Sequence, residues 1–256
     1  MRYQSEDCLR IIRKEWSYIM KNVKISGLQK MSMLDFPGRV ACTVFTSGCN
    51  FRCPFCHNAG LVLSPGSEGE IDVEYFFDFL KKRKGLLDGV AITGGEPTLM
   101  PGLHDFIGRI KDSGYAVKLD TNGTSPLILE KLLKEKLVDY VAMDIKNSPE
   151  KYTLTAGITE KAADNLLAKV NESVNILMQG SVDFEFRTTT VKPYHTKEDF
   201  YKIGEWIAGD EKYFIQGFVD SGNIIGEGMS AFTPDELDIF LTEVKKLVPK
   251  AEIRGV

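Results

Sequence analysis

Along most of the chain, short apolar runs alternate with longer stretches of helical periodicity. The runs Val40–Phe45, Gly89–Ile92, Ala116–Leu119, Tyr140–Met143, Phe184–Thr188 and Tyr213–Phe218 read as buried strands, because continuous apolar segments of this length suit strands covered on both faces. Between them, Val73–Lys84, Leu103–Ser113, Pro126–Lys136, Glu160–Asn171 and Lys197–Ala208 set apolar residues at helical spacing. A last helix is expected after Thr233-Pro234-Asp235-Glu236, where Thr233 suits an N-cap, Pro234 the first turn and Glu236 the capping-box partner. Strands alternating with helices give βαβ units and a parallel sheet. Six such strands are too few for the eight-stranded barrel. The expected fold class is therefore α/β, a partial (β/α)6 barrel forming one domain over residues 23–256. Residues 1–22 stand apart as an N-terminal extension, in which Cys8-Leu9-Arg10-Ile11-Ile12-Arg13-Lys14-Glu15-Trp16 reads as a short amphipathic helix.

Chemistry in such sheets collects at the carboxyl ends of strands, and the polar motifs respect that rule. A cysteine loop follows the first strand, Thr93-Gly94-Gly95-Glu96-Pro97 the second, Asp120-Thr121-Asn122-Gly123 the third and Asp144-Ile145-Lys146 the fourth; Arg187 lies toward the end of the fifth. Five motifs at five strand ends predict one mouth. Taken alone, Gly94-Gly95-Glu96-Pro97 is a turn, yet exposed backbone groups and a carboxylate after a buried strand suit a ligand's ammonium group. Asp120-Thr121-Asn122-Gly123 has the composition of a strand-ending turn. Asp144 and Lys146 read equally as a solvated strand end or a ligand-binding pair. A buried Arg187 needs a counter-charge, either a ligand carboxylate or a structural partner such as Glu185.

The cysteine loop is the most specific signal. Cys49, Cys53 and Cys56 are spaced C-x3-C-x2-C within Gly48-Cys49-Asn50-Phe51-Arg52-Cys53-Pro54-Phe55-Cys56-His57-Asn58. Soft thiolates this close select zinc, copper or an iron–sulfur cluster. Structural zinc and all-cysteine clusters take four ligands. Three cysteines instead leave one iron of a cubane open for substrate chemistry. A zinc loop completed by His57 is the competing reading, but His57 directly follows Cys56, and known zinc spacings put two or more residues between ligands. A secreted disulfide scaffold does not suit five cysteines in a chain of this size with no secretion signal at its start. Cys8 reads as an incidental thiol and Cys42, inside a strand, as a small buried hydrophobe.

The cysteine spacing with an aromatic before the last ligand, Phe55, resembles the signature of the radical S-adenosylmethionine superfamily. The fuller run is Gly27-Leu28-Gln29-Lys30, Leu34-Asp35-Phe36-Pro37-Gly38 and the cysteine loop. It resembles the activating proteins of anaerobic ribonucleoside-triphosphate reductases, relatives of the pyruvate formate-lyase activating enzyme. The likeness runs from about Lys24 and thins after Thr190. It begins near Met20-Lys21-Asn22, which leaves translation starts at Met1 and Met20 both open. The resemblance implies the same partial barrel, and a [4Fe–4S] cluster on Cys49, Cys53 and Cys56 whose open iron is chelated by S-adenosylmethionine.

It further implies that Gly94, Gly95 and Glu96 hold the cofactor's amino group and that Phe55 packs near the adenine. Asn122, Lys146 and Arg187 would belong to the cofactor pocket, with His57 and Asn58 beside the cluster. Asp120, Thr121 and Asp144 match positions that bind a monovalent cation in the pyruvate formate-lyase activating enzyme, and hard cations take oxygen ligands. That relative also has a sixth-strand histidine, where this chain offers Ile215-Gln216-Gly217-Phe218. His104 and His195 read as packing or surface residues.

The implied activity is reductive cleavage of S-adenosylmethionine to a 5′-deoxyadenosyl radical that installs a glycyl radical on a partner, expected to be an anaerobic ribonucleotide reductase. A flavodoxin- or ferredoxin-type reductant would supply the electron. With no cysteine pair outside the loop, a simple activase is favoured over cluster-rich peptide-modifying relatives. A 7-carboxy-7-deazaguanine synthase-like enzyme acting on a small molecule or peptide, and a zinc-binding interaction module, are the rivals. A net charge of −4 argues against a general nucleic-acid binder. No apolar run reaches membrane-spanning length and no signal peptide opens the sequence. Three free thiols imply a reducing interior, so the expected location is cytoplasmic.

Overall fold

A computed structural model describes residues 23–67, 69–209, 212–220 and 222–255. The expected N-terminal helix and Cys8 lie outside the described residues. The six expected strands form: β2 (Ala41–Thr46), β3 (Gly89–Gly94), β4 (Ala116–Thr121), β5 (Tyr140–Asp144), β6 (Asp183–Thr190) and β7 (Tyr213–Gly217). Two further strands flank them, β1 (Ile25–Ser32) and β8 (Glu252–Arg254). The sheet runs β1 to β8 in sequence order; β1 is antiparallel to β2 and every later pair is parallel. The first and last strands do not pair with each other, so the barrel stays partial.

The helices α1 (Ala59–Leu63), α2 (Val73–Lys82), α3 (Leu103–Asp112), α4 (Pro126–Lys134), α5 (Tyr152–Thr155), α6 (Glu160–Met178), α7 (Lys197–Trp206) and α8 (Pro234–Val244) fall between the strands, and a 3-10 turn spans Pro97–Leu99. The capping box at Thr233 and Glu236 forms as the sequence predicts. Helix α6 runs seven residues beyond the expected Asn171, since Val174 and Leu177 continue its buried stripe.

Alternation along the parallel strands separates two kinds of surface. One face, carrying Val117, Leu119, Val141, Met143, Phe186 and Ile215, is fully buried and belongs to the hydrophobic core. The opposite face of β4 to β8 is largely polar, with Phe214 of β7 an exception beneath Arg254. It carries Lys118 and Asp120, then Tyr140 and Asp144, then Glu185 and Arg187, and finally Arg254. The register sets Asp144 opposite Arg187. Low on this face Glu185 accepts from the Tyr140 hydroxyl at 2.9 Å and from Arg254 at 3.1 Å. An inner surface of this kind leaves room for a polar ligand above it.

The loop after β5 is held by the first turn of α7. Asp199, 2% exposed, accepts from the amide and hydroxyl of Thr196 at 2.8 Å each, from the Lys151 ammonium at 2.8 Å and from the Ser148 hydroxyl at 3.2 Å. Burial alone would raise its pKa, but Lys151 and Thr196 outweigh it and hold the carboxyl below its usual range. Asp199→Ala leaves these donors without an acceptor and is expected to lower the unfolding free energy by about 2–3 kcal/mol, measured by chemical denaturation.

Candidate active site

The cysteine loop reaches its position through a contact that only glycine permits. Gly94 has a positive φ of 117°, and a Cβ there would lie 2.3 Å from the Thr46 carbonyl oxygen. A Cβ on Gly95 would lie 1.9 Å from the Gly48 carbonyl oxygen. Free of side chains, this turn donates Gly95 N–H to Thr46 and Glu96 N–H to Gly48, each at 2.8 Å. The other flank of the loop is fastened in the same manner. Arg52 N–H donates to Ala156 at 2.9 Å, and a Cβ on Gly157 would stand 2.1 Å from the Arg52 carbonyl oxygen.

Glu96 links the strand ends. Its carboxylate is 1% exposed and lines the pocket from below. Oε1 accepts from Thr98 N–H (3.1 Å), the Thr98 hydroxyl (2.5 Å) and the Thr121 hydroxyl (2.7 Å), while Oε2 accepts from Asn122 N–H at 2.7 Å. Burial raises its pKa and these donors oppose the rise. Oε1 is saturated, and Oε2 keeps one acceptor direction. Sequence reasoning had Glu96 only as a ligand for an ammonium; in the fold it is first a brace. Asn122 then returns to the cysteine loop, its Nδ2 donating to Asn50 Oδ1 at 2.9 Å and lying 3.8 Å from Cys49 Sγ.

Every expected site residue except Arg187 lines one pocket at this mouth: Cys49, Cys53, Phe55, Cys56, His57, Gly94, Gly95, Glu96, Asp120, Thr121, Asn122, Asp144 and Lys146. Arg187 sits behind it and bonds Asp144 through Nε at 3.1 Å and Nη2 at 3.0 Å. Its counter-charges are thus Asp144 and Asp120, whereas Glu185 is taken by Tyr140 and Arg254. Lys146 donates to Asp144 at 2.9 Å. Burial would raise the Asp144 pKa, but Lys146 and Arg187 bring it down to about 2. The same pairing keeps Lys146 and Arg187 protonated against burial.

The three thiols are free. Burial pushes the Cys53 thiol up to about 12 and raises Cys49 as well. Metal must displace these protons to bind. Among the described residues, no group of three or more His, Cys, Asp or Glu side chains converges as ligands of a single ion. Three soft donors around one pocket suit a polynuclear group.

Lys118 and Thr189, like the pocket-lining Phe51 and Val62, were not legible as part of the site. Lys118, 2% exposed, ion-pairs with Asp120 from beneath. Its signal was a lysine inside an apolar strand, two residues before Asp120 and so on the same face. Thr189 also lines the pocket. His195 is 3% exposed; its Nε2 lies 2.9 Å from the Lys146 carbonyl oxygen, Nδ1 lies 3.2 Å from Val191 N–H, and its ring centroid is 6.3 Å from that of Phe55. It is a packed support for Lys146 and Phe55. His104 pairs with Glu135 away from the mouth, and Cys42 is buried in β2, both as expected.

The sequence model of the Radical SAM superfamily matches residues 43–207. This chain belongs to the radical SAM superfamily. It is 35% identical over 198 residues to a Methanocaldococcus jannaschii protein described as a glycyl-radical enzyme activating enzyme, covering 76% of this chain and 79% of that one. It is 31% identical to the pyruvate formate-lyase-activating enzyme of Clostridium pasteurianum, over 57% of this chain and 63% of that one. The fold is similar to that of Streptococcus suis SuiB bound to S-adenosylmethionine, with a TM-score of 0.63 at 12% identity over 82% of this chain and 48% of that one. Among the described residues of this radical SAM chain, no helix is long and apolar enough to cross a membrane.

Two predictions follow from the packing. Gly95→Ala forces the Gly48 carbonyl away, at an expected cost of about 3 kcal/mol in stability, together with loss of most iron uptake on anaerobic reconstitution, read by denaturation and iron assay. Burial also lowers the His195 pKa, so the neutral ring contributes stability that is full above the ordinary value near 6.5 and falls as pH drops toward the depressed one. Acidification from pH 7 should therefore destabilise the native chain more steeply than His195→Asn, by up to about 1.4 kcal/mol per pH unit. Unfolding curves across pH measure the difference.

Proposed function

We propose that this chain is an activating enzyme for a glycyl radical enzyme, with an anaerobic ribonucleotide reductase as its partner and a flavodoxin- or ferredoxin-type protein as its reductant. The observation that carries the reading is the convergence of Cys49, Cys53 and Cys56 on one pocket with Glu96, Asp120, Asp144 and Lys146. The names of its relatives support the activase class. The motifs around Leu34-Asp35-Phe36-Pro37-Gly38 support the choice of reductase.

Cys49, Cys53 and Cys56 would hold a [4Fe–4S] cluster, and the donor set fits one. With S-adenosylmethionine bound, that cluster supplies one-electron cleavage of the sulfonium and hence hydrogen abstraction from a glycine of the partner. This chain's own residues orient and shield. Gly94 and Gly95 expose backbone beside the one unused acceptor direction of Glu96, an arrangement suited to an ammonium group. Lys146 and Arg187 place positive charge where a carboxylate would be neutralised. Phe51 and Phe55, both buried, line the pocket with apolar surface and exclude water. Burial, and then Lys146, lower the pKa of His57. A monovalent cation at Asp120, Thr121 and Asp144 meets carboxylates already paired with ammonium and guanidinium groups.

The test is anaerobic reconstitution followed by incubation with S-adenosylmethionine and dithionite. 5′-Deoxyadenosine should form with the native chain and not with Cys53→Ala. A glycyl radical signal in electron paramagnetic resonance should then appear with an anaerobic ribonucleotide reductase. Iron at four per chain with no 5′-deoxyadenosine, even when that reductase is added, would refute the reading.

A further inference from the structure

The resemblance to the pyruvate formate-lyase activating enzyme puts a monovalent cation among Asp120, Thr121 and Asp144, and the geometry of these residues does not fit one. Hard cations require oxygen ligands, and here every carboxylate oxygen already faces an ammonium or guanidinium group of the chain. Asp120 Oδ1 is ion-paired with the ammonium of Lys118, and Asp120 Oδ2 lies 3.4 Å from Arg187. Asp144 Oδ1 takes Arg187 at 3.0 Å and Oδ2 takes Lys146 at 2.9 Å. The Thr121 hydroxyl donates to Glu96 at 2.7 Å and accepts from Gly123 N–H at 3.1 Å.

Three protonated side chains already neutralise the two carboxylates of Asp120 and Asp144. A further cation would have to compete with these fixed charges for the same oxygens. Lys118 is the member with no ligand-facing duty. It sits below the pocket with its side chain 3% exposed, and it lies two residues before Asp120 on the inner face of β4. A buried ammonium is tolerable only when paired, and Asp120 is its pair.

We propose that the ammonium of Lys118 is a built-in replacement for the monovalent cation, so that the cofactor pocket of this chain is complete without potassium or sodium. The inference deepens the proposed function and rests on it for the identity of the ligand. Lys118 is a positioning residue: it neutralises and orients Asp120, which lines the pocket.

The test compares potassium chloride, sodium chloride and tetramethylammonium chloride at one ionic strength, using reconstituted protein. Two quantities are read, the thermal unfolding midpoint without ligand and the affinity for S-adenosylmethionine. Both should be indifferent to the cation in the native chain. Lys118→Met should bind S-adenosylmethionine about tenfold more weakly in tetramethylammonium, a coupling of ordinary size. It should recover with potassium in a saturable way, and its midpoint should gain a potassium-specific rise. Lys118→Arg should stay indifferent.

Saturable stimulation of the native chain by potassium or sodium would overturn the proposal, as would a Lys118→Met protein as cation-indifferent as the native one. Native protein that binds no S-adenosylmethionine in any salt would instead refute the proposed function. The unfolding midpoints, which need no ligand, would still decide the role of Lys118.

Discussion

The rest of the site depends on one steric constraint, the absence of side chains at Gly94 and Gly95 where the end of β3 meets the backbone of Gly48. A methyl group on Gly95 would occupy the space of a carbonyl oxygen 1.9 Å away. With no methyl present, Glu96 N–H reaches Gly48, and the Glu96 side chain extends beneath the next strand end to Thr121 and Asn122. Asn122 then bonds Asn50, two residues from Gly48. The contacts close a ring through three strand ends. Each hydrogen bond contributes only about 1 kcal/mol, but the ring requires every backbone approach at once, so a single methyl opens it.

The polar inner face has a different logic. Closed barrels fill their interiors with apolar layers. Here β4 to β6 present an alternating row of ammonium, carboxylate and guanidinium groups instead. Buried ion pairs are weak contributors to stability, because desolvation opposes their Coulomb attraction. Stability comes from the other face, where Val117, Leu119, Val141 and Phe186 are fully buried beneath the helices. The charged row is better explained by what it meets. A ligand carrying both an ammonium and a carboxylate needs fixed charges of both signs, and the pocket is lined by Glu96 and by Lys146, with Arg187 behind it.

Much of this arrangement was legible because periodicity and strand-end chemistry are local. The six central strands fall close to their predicted runs, and the motifs that follow them gather at one mouth. The edge strands were missed for opposite reasons. Strand β1 carries Gly27, Gln29 and Lys30 and has no clean apolar face, and β8 is only three residues long. What remained hidden was pairing across long sequence separations. A lysine inside an apolar strand hints that the Lys118 ammonium is buried, but the face that encloses it is built by β5 and β6. Glu96 could be read as a ligand, but two of its four internal donors, Thr121 and Asn122, belong to the next strand end. His195 read as a packing or surface residue, and what it packs against, Lys146 and Phe55, lies far away in the chain.

The tripeptide Asp120-Thr121-Asn122 joins the two systems. Asp120 enters the charged row through Lys118 and Arg187, while Thr121 and Asn122 enter the ring through Glu96. A shift in the charge balance around Asp120 therefore displaces the same backbone that aims Asn122 at Cys49. Neutralising Asp120 from within the chain, rather than by an exchangeable ion, would hold that backbone in one position whether or not ligand is present. The cysteine loop and the ligand pocket are thus kept in register by a charge that cannot dissociate.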